Sequence, residues 1–432
     1  MAVWGEMRTF LTIWLGQTVS LIGSGLTSFA FGVWVYLDTG SISLFALNIL
    51  AYTLPGILFS PLVGSVVDRY DRRKVMILSD TGSGLTTLVI WFLYFSGSLQ
   101  VWHILLASFL NATFSAFQWT AHSAVTTLIV PKAQLGRASG MTATSDAISM
   151  VAAPVLAGAL YVSIGLAGIV LIDFLTFCFA VLILLFVRVP APAASGEAEQ
   201  GRQSIWQDGV FGWKYVLRRR GLFALLLYFA CLYFLVGMID PLLNTMLLDI
   251  GGPHALGGVL SVMGAGYFIG TLLMSTWGGP KRRAMGILVV GAIQGVVMVG
   301  FGISPSIAVI AGSVFFFSLL DPVVGGSSQA LWQTKVAPDI QGRVFAVRRM
   351  VSRVGLALAL LVAGPLAEKV FAPLLMENGR LADSVGRLIG VGAGRGVGLL
   401  FILLGVLFSL ASLVGMLYRP LREVDAQIPD AL

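Results

Sequence analysis

The sequence predicts an all-α integral membrane protein of twelve transmembrane helices in two pseudo-symmetric six-helix bundles. Three observations carry this prediction. The 432 residues are 57% hydrophobic and only 11% charged, with a mean hydropathy of +0.91, whereas soluble domains are about 25% charged. Apolar runs of bilayer length recur along the whole chain, and basic residues fill the gaps between alternate runs. The two halves also repeat each other's loop motifs.

Twelve spans are marked at about 9–37, 42–67, 75–95, 101–130, 138–163, 165–187, 221–249, 254–279, 284–303, 306–333, 344–371 and 394–418. With the N-terminus inside, 23 of the 27 Lys and Arg fall in cytoplasmic segments. The other four, Lys369, Arg380, Arg387 and Arg395, sit at the last external connection. This asymmetry predicts that both termini are cytoplasmic and that the chain is multi-pass in the inner (plasma) membrane. The net charge of +7 therefore does not point to nucleic acid. The first apolar run, from Phe10 to Leu37, is too long for a signal-peptide core, so no cleavable signal is expected. The 51 glycines suit close helix packing in lipid. Cys178 and Cys231 lie in apolar spans and read as inert packing residues.

Three regions follow: an N-terminal bundle over 1–187, a cytoplasmic linker over 188–220 and a C-terminal bundle over 221–432. The linker opens as a flexible polar stretch. It closes with an amphipathic segment, Trp206 to Arg220, that places Val210, Trp213 and Val216 or Leu217 on one face at the inner membrane surface. The halves repeat: Pro131, Gln134, Gly136 and Arg137 enter span five, and Pro338, Gln341, Gly342 and Arg343 enter span eleven. Gly278, Lys281, Arg282 and Arg283 occupy the loop that corresponds to the one between spans two and three, without its acids.

That earlier loop, residues 64–74, carries Gly64, Asp68, Arg69, Asp71, Arg72, Arg73 and Lys74 as a tight charged connection. It resembles the loop between helices two and three of the major facilitator superfamily of secondary transporters, with Asp71 where that family usually has Gly. The segment with Lys74 to Asp80, the Ile172, Asp173, Phe174 triplet and the stretch from Gly342 to Arg349 are similar to the drug-efflux branch, which includes macrolide-efflux and siderophore-export proteins. Ala153, Pro154 and Gly158 are similar to the antiporter signature of span five. Span four has no embedded Arg where many proton-coupled members carry one. The resemblance implies parallel six-helix repeats, a substrate site between them near the midplane lined by helices one, four, seven and ten, and alternating access. It also implies that Gly64, Asp68, Arg69, Arg72, Arg73 and Asp80 form a cytoplasmic charge latch, the arginines pairing with acids such as Asp80 or Asp71 or with lipid phosphates.

An ionised Asp at a helix centre costs about 2.5–3.5 kcal/mol on insertion scales, so intramembrane acids are candidates for function. Asp321, halfway along span ten and followed by Pro322, is the first candidate for proton coupling, with Asp146 and Asp240 after it. The alternative for Asp321 is a structural carboxylate that serves the backbone freed by Pro322. Asp173 reads as a packing anchor. Span four places Asn111, Ser115, Gln118 and His122 on one stripe, and span one does the same with Gln17, Ser20, Ser24 and Thr27. Asn244 follows Asp240 by one turn, and Trp332 shares a face with Asp321. Gln17, Ser24, Asn111, Gln118, His122, Asn244 and Trp332 are the candidate cavity residues; the competing reading is polar glue between helices.

Glycines 390, 392 and 394 follow no strand and lie outside, so they read as an external cap and not as a nucleotide loop. No Walker lysine, metal constellation or nucleophile with a base is present, so the sequence predicts neither an enzyme nor a cofactor. The reading is a monomeric secondary transporter exporting a small amphipathic compound in exchange for protons, with lipids as its surroundings. Two alternatives stay open: a lipid or lysolipid flippase, and a non-transporting membrane sensor or assembly protein.

Overall fold

A computed structural model describes residues 7–131, 134–187, 213–337, 340–392 and 394–427. Every regular element among them is helical. The first half contains α1 (Arg8–Thr39), α2 (Ile42–Leu58), α3 (Ser60–Arg69), α4 (Arg72–Phe95), α5 (Val101–Ile129) and α6 (Leu135–Phe186). The second contains α7 (Arg220–Gly237), α8 (Ile239–Trp277), α9 (Arg283–Ile303), α10 (Ile307–Lys335) and α11 (Gln341–Leu366). A π turn at Ala367–Phe371, α12 (Ala372–Leu374) and α13 (Gly386–Ile389) then lead to α14 (Arg395–Leu417), α15 (Arg419–Arg422) and α16 (Val424–Gln427).

Eight helical stretches among the described residues are long and apolar enough to cross a membrane. Two of them each contain two crossings. The first, α6, breaks at Gly165 (φ 64, ψ −170), and the run from α7 through α8 breaks at Gly252 (φ 67, ψ −168), a backbone region open to glycine and closed to most side chains. The remaining two crossings are α5, whose polar stripe lowers its hydropathy, and α2 with α3. Twelve crossings result. Span two differs from its expectation of one helix: it stops at Leu58 and restarts at Ser60, because Pro61 cannot donate into a continuous helix. Span eleven likewise ends in a π turn after Pro365.

The contacts divide the chain into two compact units, residues 1–194 with 251–261, and residues 195–250 with 262–432. The start of the eighth crossing therefore packs with the first unit. Glycine makes this possible: a Cβ at Gly158 would lie 2.6 Å from the Pro253 carbonyl oxygen, and one at Gly257 2.3 Å from that of Pro154. Ser261 Oγ donates to the Val151 carbonyl at 2.7 Å beside them.

Within the first unit two apolar clusters stand at different heights. One gathers Leu26, Phe31, Ile90, Ile104, Leu166 and Ile169, and the other Ile13, Val63, Met76, Val125 and Leu184. Along α1, α4 and α6, the buried polar residues Ser20, Asp80, Ser83, Thr87 and Asp173 fall between the two. The second unit holds an aromatic cluster, Phe301 against Phe317 (5.7 Å) and Phe401 (5.4 Å), and Phe317 against Phe408 (6.2 Å). Tyr228 and Ser412 share a buried hydrogen bond of 2.9 Å. Cys178 and Cys231 are free and exposed, not packed inside.

Most of the linker, residues 188–212, lies outside the described residues, as do Lys132 and Pro338 of the repeated loops. Of the expected amphipathic segment, residues 213–217 are helical, with Val216 buried and Leu217 exposed.

The helix starts explain why the two repeated loops differ in sequence. The Asp71 carboxylate caps its own helix, α4, accepting from the backbone N–H groups of Arg73 (2.9 Å) and Lys74 (3.3 Å). The corresponding loop before α9 has no acid. Its cap comes from the tail: Asp425 Oδ2 accepts from the Ala284 N–H at 2.8 Å, and the Asp425 carbonyl accepts from Lys335 Nζ at 2.6 Å. Glu423, gathered by Arg419, Arg422 and Gln427, has its carboxyl held down to about 2 by those donors. Removing a capping acid costs about 1 kcal/mol, so Asp425→Ala is expected to lower the thermal midpoint of the detergent-solubilised protein measurably. An unchanged midpoint would show that the tail does not cap α9.

Candidate functional site

The polar layer of the first unit is built from side chains that bond to one another across three helices. Gln118, on α5, donates through Nε2 to Oε1 of Gln17 on α1. Gln17 in turn donates through its own Nε2 to Asp80 Oδ2 on α4 at 3.0 Å. Asp80 is buried, and its carboxylate is bound by this amide and not by the arginines of the loop, as the latch reading expected. Three crossings are thereby tied by one amide–amide–carboxylate chain. His122, one turn beyond Gln118, is buried, and its Nε2 has no partner among the described residues.

The loop arginines do something else. Arg73 lies across the end of α6, Nε donating to the Leu184 carbonyl and Nη2 to that of Leu185, both at 2.7 Å. A helix ends with carbonyls that lack N–H partners and with partial negative charge, and a guanidinium supplies both needs. Arg72 Nη1 likewise donates to the Ala124 carbonyl near the end of α5, at 3.2 Å. Arg69 is exposed, and Gly64 has open space where a Cβ would be. The Asp68 side chain lies outside the described ones.

In the second unit Asp321 is half-buried on α10. Gln294 of α9 stands beside its carboxylate, and Tyr267 of α8 is near enough to interact with it electrostatically. Gln294 is buried and donates through Nε2 to the Phe317 carbonyl at 3.2 Å, one turn before Asp321. The one amide of Gln294 thus serves both the Phe317 carbonyl and the Asp321 carboxylate. The lone amide in the apolar run of span nine was the sequence signal for this partner. Asp240 on α8 and Asp146 on α6 both present their side chains at the helix surface.

The remaining candidates divide by environment. Asn111 Oδ1 and Asn244 Oδ1 are buried acceptors without a donor among the described residues. Ser24 faces Asp173 inside its own unit. Trp332 is 1% exposed and offers no surface in this conformation. Arg348 of α11 lies 5.9 Å from its ring centre, donating to Gln329 at 2.8 Å and Ser328 at 3.2 Å.

Residues 13–360 match the family profile described as Major Facilitator Superfamily. The chain belongs to this superfamily. Among curated relatives it is 29% identical to macrolide efflux protein A of Streptococcus pyogenes over 368 residues, 84% of this chain and 90% of that protein. A macrolide efflux protein A of Enterococcus faecalis is 28% identical over 328 residues, covering 74% of this chain and all of that protein, 100%. Among solved structures, the nucleoside transporter NupG superposes with a TM-score of 0.70 at 13% identity, over 94% of this chain and 99% of that one. A bacterial homolog of the human lysosomal transporter Spinster, inward-facing and unoccupied, gives 0.68 at 16% identity, over 94% and 97%. The major facilitator fold is thus shared with these structures, and the protein is a multi-pass membrane transporter and not an enzyme.

In this transporter the Gln17–Asp80 bond is testable by a double-mutant cycle. Gln17→Leu strands a buried carboxylate oxygen and is expected to cost about 1–3 kcal/mol, read as a lower thermal midpoint in detergent. Adding Asp80→Leu removes both partners and is expected to recover part of that loss. Additive losses would show that the two side chains do not depend on each other.

Proposed function

We propose that the protein is a secondary active transporter that exports small amphipathic compounds by alternating access, in exchange for protons. The observation that carries the export reading is the likeness to macrolide efflux proteins along 84% of the chain. Proton exchange is supported by Asp321, a half-buried acid in an apolar span whose polar neighbour is a neutral amide, Gln294. A carboxylate in that setting holds a proton readily, and losing the proton demands a polar replacement. Asp240 and Asp146 are the further candidates on the same route.

Substrate contact is assigned to Asn111, Asn244, Gln118 and His122, with Gln17 behind Gln118. Asn111 and Asn244 each present a buried acceptor without a donor, one in each unit. Leaving such an acceptor empty costs about 1–3 kcal/mol, so a ligand bearing hydroxyl or ammonium donors on an apolar body gains by satisfying it. The charged loop at 64–74 acts as a cytoplasmic gate, with Arg72 and Arg73 releasing helix-end carbonyls when it opens. In the cell the protein acts as a monomer in the inner membrane, with both termini cytoplasmic.

The test is proton movement in liposomes carrying a pH gradient, with a panel of macrolides and other amphipathic drugs, for wild type and Asp321→Asn. Drug-dependent proton release is expected in wild type, with Asp321→Asn reduced to the level of empty liposomes. Drug transport without proton movement would refute the exchange. Movement of labelled lipid in place of any drug would replace export with lipid flipping.

A further inference from the structure

Among the described residues, the most completely enclosed carboxylate in the first unit is neither Asp146 nor Asp80. Asp173, on the second crossing of α6, is 0% exposed, and neither of its oxygens has a hydrogen-bond partner among the described residues. Ser24 and Thr27 of α1 and Thr87 of α4 surround it. Thr176, one turn on, reaches the same point, since a Cβ built at Gly23 of α1 would lie 2.2 Å from Thr176 Oγ1 and 2.9 Å from Asp173 Oδ1. The backbone of α1 therefore closes that side so tightly that not even a methyl group would enter.

The hydroxyls around it are not equivalent. Thr87 Oγ1 already donates its proton to the Ser83 carbonyl at 3.0 Å, and Thr176 Oγ1 donates to the Asp173 carbonyl at 2.7 Å. Each has only lone pairs left for the Asp173 side chain. Lone pairs repel a carboxylate and match the O–H of a carboxylic acid. Ser24 and Thr27 are the hydroxyls left to donate to it, and an ionised carboxylate enclosed with neutral donors alone and no cation is strongly disfavoured. We propose that Asp173 is a proton-binding site of the first unit, its acid proton held within a shell of α1, α4 and α6 hydroxyls.

The titratable surroundings are sparse. On α1 no titratable side chain occurs from Thr9 to Val35, and on α4 Asp80 is alone from Val75 to Leu93. Asp80, Ser83 and Thr87 share one face of α4 by their spacing, which makes Asp80 the nearest acid along a polar track. On α6 itself the other titratable groups are Arg137, Asp146, Tyr161 and Cys178, and on α5 His103 and His122. No Lys or Arg lies on α1, α4, α5 or α6 near this height to hold Asp173 ionised. That the proton moves during a transport cycle rests on the exchange proposed above; that the carboxyl holds one does not.

The test therefore needs no substrate. Infrared spectra of wild type, Asp173→Asn and Asp80→Asn in liposomes are compared at neutral and alkaline pH in the carbonyl region of protonated carboxylic acids. Wild type is expected to show a protonated-carboxyl band at neutral pH that Asp173→Asn loses and Asp80→Asn keeps. In parallel, wild type carrying aspartate labelled with 13C at the side-chain carboxyl is measured at neutral pH, where the isotope shift marks a protonated carboxyl band as an aspartate. This second measurement stands even where Asp173→Asn does not fold. A band unaffected by Asp173→Asn, or no protonated aspartate band in labelled wild type, would overturn the proposal. Loss of the band on adding sodium at constant pH would overturn it in favour of a sodium site. A protonated Asp173 with no drug-driven proton release would leave this inference standing and refute the exchange.

Discussion

A polar group inside a bilayer has only the protein to bond to, and the packing of both units depends on that constraint. It explains why Gln17 and Gln118 meet side chain to side chain and end on Asp80, and why this layer lies between two apolar clusters and not at a surface. It also explains the behaviour of the loop arginines. Arg73 could reach lipid phosphate or an acid, yet its two bonds go to the carbonyls of Leu184 and Leu185, where a helix end close to the membrane has no other donor. The charged loop is thereby fastened to the C-terminal ends of α5 and α6.

The same constraint separates the two repeats. Both α4 and α9 begin with unsatisfied N–H groups and both loops are basic, with four such residues in the first and three in the second, yet only the first loop has an acid to cap its helix. Loss of the acid from the second loop is compatible with folding because the C-terminal tail returns and supplies Asp425. A sequence comparison of the two loops alone reads that loss as decay of the motif. The structure shows a division of labour, local in one repeat and remote in the other, with Lys335 holding the tail in place.

Apolar run length and basic-residue placement made the spans legible in the sequence, since both follow from the bilayer itself. The glycine breaks at Gly165 and Gly252 matched the expected span boundaries for the same reason. Partners were not legible. Asp80 looked like part of the charged loop because it is near it in sequence, but one face of α4 carries it inward to Gln17. Trp332 shares a helical stripe with Asp321, yet a stripe does not say which end is packed, and Trp332 is covered within its own unit. The interruption of span two at Phe59 was readable in principle from Pro55 and Pro61, but hydropathy averages over such breaks.

Asp173 shows why burial alone does not rank acids. Its triplet with Ile172 and Phe174 reads as packing, and by area it is packing. What distinguishes it is the direction of the protons around it. A threonine that has given its hydrogen to a carbonyl in its own helix is an acceptor toward everything else, and Thr87 and Thr176 both do so. An anion in that shell would face lone pairs on at least two sides, whereas a neutral acid fits the same shell without moving a backbone. Close approach of α1 at Gly23 then has a purpose beyond packing: it keeps out the solvent that would let the carboxylate ionise at little cost. The geometry that makes α1 and α6 adhere and the geometry that sets the charge of Asp173 are one arrangement, so a change that loosens the helices also changes the acid.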